Sequence, residues 1–167
     1  LLYFGVGYLF LAVCKRLERK GIVSKIVDEP VKPKQIRFEI KHSLQSIFLF
    51  GFSVLPIIYL IRSGHLSLLE NSLVNVLIGL LILNVWNEVH FFVVHRIMHL
   101  PFYMRRVHYI HHRSRVPTVY SVYCFHWLEA TLLSTVPLTI ALFVPFAPLA
   151  IALYPLTSIL LNFAGHC

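Results

Sequence analysis

Apolar residues in this chain come in long runs, and two basic stretches separate them. Residues 1–13 are almost all apolar. That run is too short for a hydrocarbon core that needs about 20 residues, so it reads as the tail of a truncated transmembrane helix. Residues 14–42 turn polar, with nine Lys and Arg against four Asp and Glu. Pro30 and Pro33 break any long helix there, and 35–42 reads as an amphipathic lead-in to the next run. Residues 43–61 are 19 positions without a charge, long enough to cross a membrane, with a kink expected at Pro56. Residues 62–70 connect it to a second span, 71 to about 94, whose only charge is Glu88. Residues 128–163 are apolar again, and Pro137, Pro145, Pro148 and Pro155 predict a helical hairpin turning near Pro145–Pro148.

Composition supports the membrane class. Of 167 residues, 57% are hydrophobic and 13% charged, with mean hydropathy +0.74. Soluble domains hold about 45–50% apolar and 25% charged residues. The net charge of +8 is gathered in blocks beside apolar runs, which fits an anionic membrane surface. Nucleic-acid binding is excluded, because no basic and aromatic stripe lies on a polar scaffold. Cys14, Cys124 and Cys167 are scattered without a C-x-x-C pair and are expected to be reduced thiols. The chain begins without Met inside one apolar run and ends straight after another, as expected of an internal piece of a longer membrane protein. Two regions follow: 1–42, a helix tail plus a basic cytosolic segment, and 43–167, the membrane domain.

Charge also orients the spans. Nine Lys and Arg lie before the 43–61 run, one in the 62–70 connection and five between the 71–94 span and the last apolar run. The positive-inside rule therefore places the first and third connections in the cytosol. Eight of the ten histidines, all but His65 and His90, then lie at or beyond the cytosolic border. The expected fold is all-α: an integral membrane helical bundle with a cytosolic, histidine-rich cap.

The histidines carry the chemistry. His95 and His99 are four apart, so on a helix they point the same way, about 40° from each other. His108, His111 and His112 share an arc of about 100° on a helix. An H-x-x-x-H pair alone occurs on interfacial helices without binding anything, but an H-x-x-H-H on the same membrane side is not needed by packing. Imidazole suits Fe, Zn, Cu and Ni. More than four ligands exceed one tetrahedral zinc site, which points to two metal ions. Such a centre, beside a bilayer and with open positions, suits activation of O2 against an unreactive C–H bond. Glu88, seven residues before His95 on the same face, is placed to orient a ligand ring or a water. His126 and Glu129, an H-x-x-E before an apolar run, are a further ligand or supporting pair, with a helix N-terminal anchor as the other reading. His166 is a further candidate. His90, about 140° round from His95, reads as a packing residue, as do His42 and His65. A bis-His haem electron-transfer protein needs histidines on separate spanning helices, and a non-catalytic metal-binding module such as a transporter needs ligands at mid-membrane depth.

Together, Glu88, His95-Arg-Ile-Met-His99, His108-Tyr-Ile-His111-His112, Phe125-His126-Trp-Leu-Glu129 and Asn162-Phe-Ala-Gly-His166 resemble the fatty acid hydroxylase superfamily, which includes sterol desaturases, methylsterol oxidases and lipid hydroxylases. The resemblance covers about residues 34–167. It implies a helical membrane bundle capped by a cytosolic site with two Fe ions, ligated by His95, His99, His108, His111 and His112. It also implies O2-dependent hydroxylation or desaturation of a sterol or fatty acyl lipid. Electrons would come from an external reductase chain through a cytochrome b5 or ferredoxin type donor. The implied location is the endoplasmic reticulum in a eukaryote or the inner membrane in a bacterium. Trp127 stands where the family commonly has Pro, and the family's last H-x-x-HH box does not follow His166. The piece is therefore expected to hold an incomplete ligand set and to be inactive alone.

Overall fold

In the computed structural model of the chain, residues 2–24 and 29–164 are described. They are all-helical, without a strand, apart from one isolated bridge between Leu68 and Phe146. Helix α1 runs Leu2–Arg19, past the end of the first apolar run. Helices α2 (Pro33–Phe52) and α3 (Val54–Arg62) form one candidate membrane span of 30 residues. Helix α4 (Leu73–Met98) forms the other, of 26 residues. Pro56 acts one turn upstream of itself. It has no N–H to offer the carbonyl of Phe52, and the helix breaks at Ser53, whose hydroxyl donates to Phe50 O at 2.7 Å.

Helix α4 starts at Ser72, whose hydroxyl accepts from Asn75 N at 3.2 Å, as an N-cap does. It ends because Pro101 forces Leu100 into an extended conformation, φ −62°, ψ 143°. A short helical stretch follows: α5 (Pro101–Tyr103), a π-helical turn Met104–His108, and α6 (Tyr109–His112). Residues 113–126 carry no helix. The expected hairpin forms as α7 (Trp127–Leu133), α8 (Val136–Ala141), a turn at 142–147, and α9 (Pro148–Ala164) with Pro155 inside it. Its arms are shorter than the two long spans.

The core lies where α4 meets α8 and α9, around Val76, Leu83, Val136, Phe146, Ala147, Ala150 and Tyr154. Gly79 allows the close approach, since a Cβ there would stand 2.9 Å from the Ala150 Cβ. Polar rungs cross the same interface: Asn84 Nδ2 to Thr157 Oγ1 (3.0 Å), Trp86 Nε1 to Thr139 Oγ1 (3.0 Å), and Tyr154 OH to Asn87 Oδ1 (2.7 Å). Small residues and interhelical hydrogen bonds are what join helices where lipid removes the hydrophobic drive. Helix α1 packs on α9 through Tyr3, Phe10 and Phe163. Cys124 is a free, buried thiol as expected.

Gly79→Leu is expected to lower the thermal unfolding midpoint in detergent, by overpacking worth about 1–3 kcal/mol. Gly51→Ala, at an exposed helical glycine with nothing within 4 Å of its added Cβ, should not lower it.

Candidate metal centre

The site is built where α4 ends and the π-helical stretch begins. His95 and His99 leave the last turn of α4 on one face, and their Nε2 atoms stand 3.1 Å apart. The turn at Leu100–Pro101 brings the chain back against that face. A π-helical turn, wider than an α-turn by one residue, precedes Tyr109 and aims His108 inward. His108 is 0% exposed, and its ring centroid lies 4.7 Å from that of His95 and 4.8 Å from that of His99. Donor atoms of His95, His99 and His108 all lie within 4.8 Å of one another, so these three could hold one metal ion. His112 adds a fourth ring, its Nε2 3.4 Å from His99 Nε2.

Glu129 decides how His108 is used. Its Oε1 accepts from His108 Nδ1–H at 2.8 Å, with both side chains essentially out of water. Donation from Nδ1 leaves the Nε2 lone pair free, and Nε2 is buried without a hydrogen-bond partner. An unpartnered buried nitrogen is rare in native structures, and a metal is the partner this one fits. A carboxylate on the far nitrogen is also the usual support of a metal-ligating histidine, because it sets ring and tautomer. His95 Nδ1, His111 Nδ1 and Glu129 Oε2 are likewise buried without partners.

His111 lies at the edge of the group. Its ring is 5.4 Å from that of His108 and 6.3 Å from that of His95, and it stacks on Phe125 at 5.1 Å. Burial, then the neighbouring His108, His112 and His95, push His111 down to about 4, against a weak upward pull from the Cys124 backbone. Burial, followed by His108 and His99, also lowers His112, with Glu129 pulling the other way. Both rings are therefore neutral at pH 7, the form in which imidazole binds a metal.

Two other candidates sit elsewhere in the fold. Glu88 is exposed, accepts from the Asn87 amide at 3.0 Å, and is about 10 Å along α4 from His95. His126 caps α7, its Nδ1 accepting from Leu128 N at 3.2 Å, so the anchoring role is met whatever its Nε2 does. His166 lies outside the described residues. Sequence reasoning passed over Glu39, which is 0% exposed in α2. The available signal was its spacing, four residues from both Gln35 and Ser43.

The described residues form an all-helical fold with two helices long and apolar enough to cross a membrane, converging histidines and a supporting carboxylate. The chain matches the fatty acid hydroxylase family model over residues 80–167, more than half of its length, and belongs to that family. It is also similar to the Delta(7)-sterol 5(6)-desaturase erg3C of Aspergillus fumigatus, at 28% identity over 144 residues. That match covers 73% of this chain and 45% of the relative, so the chain spans about half the relative's length. No solved structure matches.

Glu129→Leu should leave His108 Nδ1–H buried without an acceptor and lower unfolding stability by about 1–3 kcal/mol. Glu129→Gln, which keeps a carbonyl acceptor, should recover most of that loss in chemical denaturation.

Proposed function

We propose that this chain forms part of an O2-dependent hydroxylase or desaturase that oxidises a C–H bond of a sterol or fatty acyl lipid at a histidine-ligated iron centre. The observation that carries the reading is His108. Its Nδ1–H is committed to Glu129, and its buried, unpartnered Nε2 converges with His95 and His99. His95, His99, His108 and His112 would hold iron, with His111 next to them. His126 and His166 are further ligands in this reading. With more than four imidazoles, the centre would take two ions. When bound, iron would supply the activation of O2 that an unactivated C–H bond requires.

The chain's own residues do the rest. Glu129 holds the proton on His108 Nδ1 and thereby keeps Nε2 open to the metal. The outer face of α4 delivers the substrate, since Leu73, Leu77, Leu81, Val85, Val89 and Phe92 are all exposed. That apolar strip ends at Phe92, about one helical turn before His95 and two before His99, so a lipid lying along it would reach toward the histidines.

The five arginines between Arg96 and Arg115, all exposed, set the histidine side in the cytosol. They also offer a surface for an acidic electron donor of the cytochrome b5 or ferredoxin type. The membrane would be the endoplasmic reticulum or a bacterial inner membrane. A bis-His haem is disfavoured, because His95 and His99 face each other across 3.1 Å from one helix, which leaves no room for a porphyrin between them. The sterol desaturase similarity makes sterols the first substrates to test.

Full-length protein in liposomes, given O2, a reductase chain and either sterols or fatty acyl lipids, should form hydroxylated or desaturated product. His108→Ala should abolish turnover and metal loading, whereas His65→Ala, on the exposed turn after α3, should change neither. Equal effects from the two substitutions would contradict the site.

A further inference from the structure

Helix α2 carries a polar stripe on a face that an apolar span has no reason to keep polar. Gln35, Glu39, Ser43 and Ser46 fall within an arc of about 80°. Glu39, Ser43 and Ser46 are each 0% exposed, whereas Arg37, Lys41, Leu44 and Phe48 on the outer faces are exposed. The stripe meets residues 113–126, the 14-residue stretch without helix that joins His112 to Glu129.

The partners of the stripe in that stretch are two backbone carbonyls and one hydroxyl, and one of the carbonyls, Tyr120 O, also accepts from Tyr3 OH of α1 at 2.8 Å. Gln35 Nε2 donates to Val116 O at 2.8 Å, and Ser43 Oγ donates to Tyr120 O at 2.8 Å. Glu39 Oε2 accepts from Thr118 Oγ1 at 2.6 Å, while Oε1 accepts from Gln35 Nε2 at 2.8 Å. Thr118 Oγ1 in turn accepts from Tyr120 N at 3.1 Å, so this one hydroxyl is used in both directions. Buried loop backbone must find such partners or remain unsatisfied. The same loop ends in Phe125, which stacks on His111, and leads into Glu129, which holds His108.

We propose that Glu39 is a positioning residue of the histidine centre: through Thr118 it clamps the 113–126 loop to α2, and so fixes Phe125 and Glu129 against His111 and His108. The proposal rests on the metal-centre reading given above. It adds a carboxylate from a helix that contributes none of the five clustered histidines, and that lies outside the part of the chain matched by the family model.

The test uses full-length protein in detergent and cobalt(II) as the probe metal. Thr118→Val keeps the side-chain shape and removes the hydroxyl; Thr118→Ser keeps the hydroxyl. Thr118→Val removes the bonds to both Glu39 and Tyr120 N and should speed amide hydrogen exchange across 116–126 in the metal-free protein by about tenfold or more. It should also weaken cobalt(II) binding by about tenfold or more and shift the cobalt ligand-field bands, with far-UV circular dichroism unchanged. Thr118→Ser should match the wild type in all three. Glu39→Ala should also weaken cobalt(II) binding, and the double variant should lose less than the sum of the two single variants, because the two residues share one contact.

Unchanged exchange in Thr118→Val would overturn the clamp. Faster exchange with unchanged cobalt(II) affinity and spectrum would overturn the positioning role. Failure of the wild type to bind cobalt(II) would instead sink the metal-centre reading, and the exchange result would still decide whether Glu39 holds the loop.

Discussion

The contact on which the histidine group depends is the one between His108 and Glu129. It joins positions 21 residues apart at 2.8 Å, with both side chains removed from water. Such a pair is destabilising to break, because either partner left alone is a buried polar group without compensation. It also has a direction. By taking the Nδ1 proton, Glu129 leaves Nε2 facing His95 and His99, and the ring can neither flip nor change tautomer without losing the bond. The interaction that ties α7 to the π-helical turn is therefore the same one that prepares a ligand atom.

The length and apolar character of the two long helices supply the other constraint. Helix α4 is long and apolar enough to cross a membrane, and His95 and His99 come at its C-terminal end. Their depth is then set by the length of the apolar strip before them. Helix α2 begins at the end where α4 finishes if the two spans run antiparallel, which is how its polar stripe comes to lie against the loop following His112. Satisfied polar contacts join α4 to α9 through Asn84 and Thr157, and α2 to the 113–126 loop through Gln35 and Val116.

Much of this was legible in the chain because its signals are periodic. The spans followed from uncharged runs, the hairpin turn from Pro145 and Pro148, and the pairing of His95 with His99 from a four-residue spacing. The spacing of His108, His111 and His112 indicated a shared face, but it could not indicate the π-helical turn that buries His108, since one extra residue in a turn leaves no mark on composition. Pro56 signalled a break, yet the break falls at Ser53, where the missing hydrogen bond is felt. Glu39 was read as part of an amphipathic lead-in, because its burial depends on a loop 79 positions away in sequence. His126 could be either ligand or anchor from sequence alone. The structure shows its Nδ1 occupied by the backbone of Leu128.

The central claim is that these histidines form a non-haem iron centre. It is tested most directly by the metal content and optical spectrum of the full-length protein purified in detergent from iron-supplemented cells. The account predicts about two irons per chain, ligated by imidazole and oxygen species, with no haem Soret band. A Soret band, or a folded and intact protein that binds no iron, would contradict it.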